Sequence, residues 1–244
     1  MPHTKTIIAA ASVLAASAAA TATYAALSAQ SQLFGKVLIA GSDPSQIALT
    51  FDDGPNDLAT ERLLEVLAQH NVRATFFMIG RFVRQRPAIA RAVATAGHLI
   101  GNHTMNHPWL AWQSAARIRA EITDASAAIQ DTLGAPIHYF RAPHGARRPY
   151  VLKTARDLNL IPVQWNVIGQ DWKPITPDAI LNRIQRGIGH NRRRGRSSNI
   201  VLHDGGDRSI GQPRLPTVEA TARLLELCSA TSTKFVTPEV WLNT

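Results

Sequence analysis

Two adjacent carboxylates, Asp52 and Asp53, stand at the end of an apolar run and directly before a Gly-Pro turn. Carboxylates held close together repel each other, which costs folding free energy unless a cation lies between them or their surroundings separate their roles. A bound metal ion would remove that conflict. The pair therefore indicates a site at which one carboxylate binds a metal and the other is free to act as a base.

His103 and His107 could supply the remaining ligands of this metal. Residues four apart on a helical turn share one face, so we expect such a turn to direct both imidazoles to one point. One aspartate oxygen with two histidine nitrogens is a ligand set suited to zinc, and it leaves a position open as in catalytic zinc sites. Cobalt or another transition metal would also suit these ligands.

The chain around these residues alternates between strand patterns and helix patterns. Apolar runs rich in β-branched residues predict seven strands, near residues 46–51, 73–79, 97–102, 137–141, 161–167, 198–203 and 234–236. Segments with apolar residues three and four apart lie between them and predict helices. Strict alternation indicates an α/β fold with a parallel sheet, and seven such units are enough to close a TIM-barrel-like (β/α)7 barrel.

Conspicuous polar residues follow five of the predicted strands. These groups are Asp52 with Asp53, His103 with His107, Arg141 with His144, Asp171 with Trp172, and His203 with Asp204. The carboxyl ends of barrel strands form the catalytic face of such folds. We therefore expect the five groups, scattered along the sequence, to meet at one mouth.

Five short motifs resemble, in the family's order, those of the polysaccharide deacetylases of carbohydrate esterase family 4, which carry the NodB homology domain. The motifs are Thr50-Phe51-Asp52-Asp53-Gly54, His103-Thr104-Met105-Asn106-His107, Arg141-Ala142-Pro143-His144-Gly145, Asp171-Trp172 and Val201-Leu202-His203-Asp204. The resemblance covers about residues 45–240. It implies a single distorted (β/α)7 barrel, and a metal-dependent hydrolase that removes N-linked acetyl groups from a glycan of the chitooligosaccharide or peptidoglycan type.

The resemblance also implies a role for each matching residue. Asp53, His103 and His107 would hold one divalent metal ion, with zinc expected. Asp52 would be the general base that takes a proton from the attacking water. His203 would be the general acid that protonates the departing sugar amine.

Further residues of the motifs would support the base, the acid and the substrate. Arg141 would orient the base and keep it ionised, and Asp171 would pair with the acid and hold its tautomer. The backbone N–H of His144 would bind the oxyanion of the tetrahedral intermediate. Trp172 and Leu202 would form the wall around the acetyl methyl group.

One departure from the family pattern concerns the surface offered to the sugar. The family usually has Tyr or Phe where this chain has His144, and because the proposed donor is a backbone group, the change bears on substrate fit. Among the tryptophans, Trp109 could line the cleft, since aromatic faces pack against sugar rings. Trp165 is expected to pack inside its strand.

The N-terminus predicts export. Residues 6–35 carry no charge, and residues 7–29 are almost wholly Ala, Ile, Val, Leu, Ser and Thr after Lys5. The stretch is long enough to span a bilayer but only marginally hydrophobic, and Ala20-Thr21-Ala22 offers a signal-peptidase site. We expect residues 1–30 to be a signal peptide or N-terminal membrane anchor, and residues 31–244 to be the catalytic domain. The protein would reach the periplasm, cell envelope or extracellular space.

Composition fits one globular domain rather than a nucleic-acid binder. The chain has 244 residues, 45% of them hydrophobic, and a formal net charge of +9. The densest basic cluster, residues 192–196, stands in a predicted loop without any nucleic-acid module, so we expect a solvated loop and no nucleic-acid partner. We expect a monomer, whose single Cys228 is a packed thiol.

Other functions remain open from the sequence. The same fold and metal could act on another amide or ester, such as a formamido sugar or O-acetyl xylan, because function resides in the site rather than the barrel. A glycan-binding protein without catalysis is a further alternative. The presence of Asp52, Asp53 and His203 argues against it, since binding alone needs no base and acid beside a metal.

Overall fold

The computed structural model describes the backbone of residues 2–242 and the side chains of residues 15–242. Helices α1 to α8 span Pro2–Leu27, Ala59–Gln69, Gly80–Gln85, Pro87–Thr95, Ala115–Leu133, Pro149–Asp157, Pro177–Arg193 and Leu215–Ser229. Strands β1 to β8 span Gln46–Gly54, Thr75–Met78, Leu99–Asn102, Tyr139–Phe140, Ile161–Pro162, Val167–Ile168, Ser198–His203 and Lys234–Phe235. The predicted alternation of strands and helices is confirmed except between β5 and β6, which no helix separates.

The described strands form one parallel sheet in the order β5-β4-β3-β2-β1-β7-β6, with β8 beside β1. The edge strands β5 and β6 follow each other closely in the chain, so the sheet must curl until its two edges approach. This is the distorted barrel expected from the sequence. The predicted single strand at 161–167 is wrong, because Ile161 pairs with Tyr139 at one edge and Val167 pairs with Ile200 at the other.

Residues that precede β1 pair with the chain that follows β5, at the gap between the edges β5 and β6, here called the seam. Leu38 forms an isolated parallel bridge with Val163. Its N–H donates to Pro162 O at 2.8 Å, and its carbonyl accepts from Gln164 N at 2.8 Å. The extended stretch around Leu38 therefore satisfies backbone groups that an open sheet edge would leave unpaired.

Strand β1 occupies the centre of the sheet between β2 and β7. Its side chains Ile47, Leu49 and Phe51 are buried in the main hydrophobic cluster, where apolar stripes of the covering helices meet them. This strand is buried along nearly its whole length and paired on both sides, so the two carboxylates at its end are placed by a rigid element.

Helix boundaries follow local capping chemistry in two of the longer helices. The Ser114 hydroxyl accepts from Arg117 N at the start of α5, and Gly134 ends this helix in the left-handed conformation. Thr176 caps α7 in the same way. Helix α7 continues through Arg192 and Arg193, so the prediction of a loop at 192–196 is wrong for its first two residues. Basic side chains in a last helical turn are favoured by the helix dipole.

The N-terminal residues 2–27 form helix α1. Within the described residues, we find no helix with the combined length and hydrophobicity needed to cross a membrane. The side chains of residues 1–14, which belong to the predicted leader, lie outside the described part of the chain.

Candidate active site

A β-bulge at the end of β1 turns both adjacent carboxylates to the same side. Asp52 pairs with Phe77 and Gly54 pairs with Met78, so Asp53 is an extra residue in β1, with φ of 73°. Successive side chains of a regular strand point to opposite faces. The bulge interrupts this alternation, and both carboxylates border one cavity.

Asp53, His103 and His107 form a compact cluster of potential metal ligands. One donor atom from each lies within 4.8 Å of the others. Asp53 Oδ1 is 3.4 Å from His103 Nε2 and 3.1 Å from His107 Nε2, and all three side chains are buried. The structure therefore brings together the three residues that the sequence predicted as ligands.

The chemistry of these donors fits a cation. His103 Nδ1 lies 2.8 Å from Arg141 O, a pure acceptor, so Nδ1 carries the proton of the neutral ring. The lone pair of Nε2 then faces Asp53 Oδ1, itself a buried atom without a hydrogen-bond partner within the described structure. Lone pairs that converge in this way, with the other imidazole nitrogen bonded to a carbonyl, are typical of metal ligands. The arrangement supports a divalent metal site and leaves the identity of the ion open.

The two histidines do not lie on a helical turn, so that expectation is wrong. They lie in an irregular loop after β3, in which Thr104 and His107 have φ of 68° and 62°. Thr104 N donates to Asn102 Oδ1 at 2.7 Å, and His107 N donates to Thr104 Oγ1 at 3.0 Å. Side-chain oxygens thus hold a left-handed turn that directs both imidazoles inward.

Glu121 of helix α5 anchors the same loop. Its carboxylate accepts from Asn106 N at 2.8 Å and from Asn106 Nδ2 at 3.0 Å, and Arg117 pairs with it. Glu121 is buried, and its ion pair and hydrogen bonds account for that burial. The loop that carries His103 and His107 is therefore held at a helix as well as at its own strand.

Asp52 is held by a buried arginine. Arg141 Nη1 donates to Asp52 Oδ1 at 2.7 Å and to Thr50 Oγ1 at 2.7 Å. Burial lowers the pKa of Arg141, and the charge of Asp52 opposes that effect. The guanidinium also lies 4.1 Å from the Phe77 ring centroid. One carboxylate oxygen of Asp52 is thereby fixed, and the other, Oδ2, lies 3.8 Å from His103 Nε2.

His203, which also borders the cavity, is held by Asp171. Asp171 Oδ1 accepts from His203 Nδ1 at 2.8 Å, and Oδ2 accepts from His203 N at 2.7 Å and from Thr217 Oγ1 at 2.8 Å. Burial lowers the pKa of His203, but Asp171 with the more distant Asp53 and Asp52 outweighs burial and raises it to about 9. The imidazole is thus a protonated group at neutral pH, with Nε2 as its free donor.

The cavity between these groups measures about 680 Å³. His144 borders it with φ of 58°, and its ring stacks on Trp109 at a centroid distance of 3.9 Å. Burial and the neighbouring His107 lower the pKa of His144 to about 4, so its ring is neutral at pH 7.

Trp172 meets His203 edge to face at 5.3 Å. Trp109 and Trp172 stay 45% and 43% exposed, which leaves apolar surface open at the mouth.

Two sequence expectations for the cavity wall are wrong. Leu202 is fully buried in the core, and its neighbours Val201 and His203 border the cavity, because side chains alternate along β7. Trp165 falls outside both short strands that replace the predicted 161–167 strand, and it lines the cavity.

Several residues that border the cavity carried no recognisable signal in the sequence. Leu27 and Ala29 come from the N-terminal segment, and Asp207 and Arg214 follow β7. Asp207 Oδ2 lies 3.8 Å from His107 Nδ1, a buried atom with no hydrogen-bond partner in the described residues. Asp207 is a charged residue only four positions after His203, and that position could have marked it as a site residue. Nothing in the Ala-rich leader pointed to Leu27.

Comparison with known proteins agrees with this geometry. The polysaccharide deacetylase family model matches residues 40–163. The chain is 38% identical over 162 residues to a chitooligosaccharide deacetylase from Azorhizobium caulinodans, covering 66% of this chain and 74% of that protein. The crystal structure of a peptidoglycan N-acetylglucosamine deacetylase has a TM-score of 0.75 at 31% identity, covering 84% of this chain and 92% of that one. A family 4 acetyl xylan esterase from Clostridium thermocellum, in complex with a cobalt ion, has a TM-score of 0.70 at 30% identity, covering 81% and 90%.

Proposed function

This chain belongs to the polysaccharide deacetylase family, carbohydrate esterase family 4, and from that premise we propose that it hydrolyses the N-acetyl groups of amino sugars in a glycan. The substrate would be of the chitooligosaccharide or peptidoglycan type, as the names of its relatives suggest. The observation that carries the proposal is the convergence on one cavity of a carboxylate held by Arg141, a histidine held by Asp171 and a cluster of three metal-ligating side chains.

Asp53, His103 and His107 would hold the metal, and zinc is the ion we propose for this ligand set. When bound there, a divalent ion supplies Lewis acidity that polarises the acetyl carbonyl and makes water more acidic. The loop after β3 that carries His103 and His107 is held by hydrogen bonds between His103 Nδ1 and Arg141 O and from His107 N to Thr104 Oγ1.

Asp52 would act as the general base. Its Oδ1 is occupied by Arg141, so Oδ2 is the atom free to take a proton from water that attacks the acetyl carbon. The bulge at Asp53 gives adjacent residues separate roles, since one carboxylate faces the histidines and the other faces the guanidinium. This separation resolves the repulsion that two neighbouring carboxylates would otherwise suffer.

His203 would act as the general acid. Its Nε2 proton would pass to the amine nitrogen as the C–N bond breaks, since an amine leaves far more readily when protonated. Asp171 supports this role by fixing Nδ1–H and by keeping the ring protonated. The backbone N–H of His144 would donate to the oxyanion. Trp172 would contact the acetyl methyl group, with Val201 in the place expected of Leu202.

Release of acetate from N-acetylglucosamine oligomers tests this function. The protein is assayed as purified, after removal of metal with a chelator, and after zinc is restored. We expect activity that disappears with the metal and returns with it. A protein that binds one zinc tightly yet releases no acetate would contradict the proposal.

Ester hydrolysis is a second candidate, supported by the structural likeness to an acetyl xylan esterase. The same base and oxyanion donor would serve an O-acetyl group. An alcohol needs less protonation than an amine in order to leave, so the two substrates would respond differently to loss of His203. If acetyl xylan is the better substrate and His203→Ala spares its hydrolysis, the amide proposal is wrong.

Export to the cell envelope or beyond is also our proposal. It is supported by the uncharged residues 6–35 and by the small-residue site at 20–22. Mass spectrometry of the N-terminus of protein recovered from the cell envelope or the medium would test it, because export leaves residues 1–30 either cleaved, as after Ala22, or retained as a membrane anchor. An intact N-terminus on protein recovered from the cytosol would contradict export.

A further inference from the structure

Residues 25–31, which comprise the last residues of helix α1 and those just after it, are held against the catalytic cavity by a buried arginine. Arg147 Nη2 donates to Ser28 O at 2.9 Å, to Ala29 O at 3.3 Å and to Ser31 O at 2.6 Å. Arg147 N donates to Ala26 O at 2.9 Å. Arg147 is almost completely buried, so its charge is satisfied largely by these carbonyl oxygens. Residues 25–31 are here called the wall segment.

The same arginine connects the wall segment to the turn that carries His144. Arg147 Nη1 donates to Gly145 O at 2.8 Å. Gly145 in turn approaches Trp165 so closely that a Cβ at this position would lie 2.9 Å from the ring. The wall segment, the His144 turn and Trp165 therefore form one connected side of the cavity.

Two side chains of the wall segment border the cavity, whereas the residues at the two ends of the segment are buried. Ala25 and Ser31 are almost inaccessible, but Leu27 remains 42% exposed and, with Ala29, lines the cavity that contains Asp52 and His203. An apolar side chain held open beside a polar catalytic cluster offers a contact for the apolar face of a ligand. The family model begins only at residue 40, so the match does not include this wall.

We propose that the wall segment is a fixed part of the substrate cleft, and that Leu27 is a specificity-determining residue that packs against a sugar ring of the bound glycan. The inference rests on the proposed deacetylase function. A rigid wall contributes binding without a large loss of conformational freedom, because its backbone is already ordered by Arg147.

Leu27→Ser in the full, zinc-loaded chain tests the proposal. Leu33→Ser is the matched control, since Leu33 is 62% exposed on the same stretch but is not among the residues that line the cavity. With an N-acetylglucosamine tetramer, loss of the apolar contact should raise KM roughly fivefold in Leu27→Ser and leave kcat within about twofold. Leu33→Ser should match the wild type in both constants.

Equal KM values for the wild type and Leu27→Ser would overturn the inference, as would a loss of kcat at unchanged KM. A separate readout distinguishes this failure from failure of the proposed function. Calorimetric titration of the tetramer into Asp52→Asn, with and without Leu27→Ser, measures binding without turnover, and weaker binding in the double variant is expected. A wild-type protein that neither releases acetate nor binds the tetramer would overturn both proposals.

Discussion

Arg141 and Asp52 form a buried ion pair at the end of the central strand, with Nη1 and Oδ1 2.7 Å apart. The pair occupies one oxygen of the carboxylate and leaves the other towards the metal ligands. It also gives Asp52 a partner different from those of Asp53, whose carboxylate lies beside His103 and His107, although the two aspartates are adjacent in the chain. Our first prediction follows from this separation.

Asp52→Asn should remove activity and spare the metal. The amide cannot accept a proton from water, and loss of a general base lowers rates by about 10²- to 10⁴-fold. Metal content measured by elemental analysis should stay near the wild-type value, because Asp53, His103 and His107 are unchanged. His103→Ala is the comparison and should lose both metal and activity. Retention of most of the rate by Asp52→Asn would show that Asp52 is not the base.

Asp171→Asn should move the alkaline limb of the pH–rate profile to lower pH. The pKa of His203 is raised to about 9 against the effect of burial, and Asp171 is the largest cause of the rise. Without that carboxylate the pKa falls, so the protonated acid is lost at lower pH. A cation bound at Asp53 would oppose the protonated form of His203 in both proteins, so the direction of the change stays the same.

Thr217→Val is the control for Asp171→Asn. It removes only the hydroxyl that donates to Asp171 Oδ2 and keeps the carboxylate. The alkaline limb of the pH–rate profile of Thr217→Val should lie close to that of the wild type. If Asp171→Asn and Thr217→Val gave the same profile, Asp171 would have no part in setting the protonation of the acid.

His144→Phe should change substrate binding with little effect on turnover. The proposed oxyanion donor is the backbone N–H, which the substitution retains, whereas the ring that stacks on Trp109 changes. We expect kcat to stay near the wild-type value and KM to change, as it should also in Trp109→Ala. A large loss of kcat in His144→Phe alone would mean that the imidazole takes part in the chemistry.

Arg147→Met should destabilise the protein because four carbonyl oxygens lose their donor. We expect the free energy of unfolding in urea to fall by about 2–4 kcal/mol. Amide hydrogen exchange in residues 25–31 should accelerate, while exchange in β1 should change less. Arg156→Met is the control, since Arg156 donates to Lys36 O from an exposed position. This surface change should alter stability by no more than about 0.5 kcal/mol.

The motifs located the metal ligands, because Asp53 ends β1, His103 and His107 follow β3, and the carboxyl ends of parallel strands in one sheet lie at the same end. Their fine placement could not be predicted. Strand alternation alone would have put Asp52 and Asp53 on opposite faces, and only the bulge brings them together. The left-handed residues Thr104 and His107 replaced the expected helical turn, since side-chain hydrogen bonds outweighed local spacing.

The remaining errors arise from pairing over long distances in the chain. The apolar run at 161–167 gives no sign that its two ends join opposite edges of the sheet. Leu202 was placed by its position in a motif, whereas strand register decides which way it faces. The role of the N-terminal segment depends on Arg147, more than a hundred residues away in sequence.

The seam between β5 and β6 has a consequence for the order of events during synthesis. Leu38 bridges to Val163, so its partner is made only after about two thirds of the 244 residues. Contacts that distant in sequence form late, since a long stretch of chain must first be ordered between them. The segment around Leu38, although synthesised early, is therefore expected to reach its native contacts among the last. The catalytic mouth would take its final shape only when this segment has paired with the chain after β5.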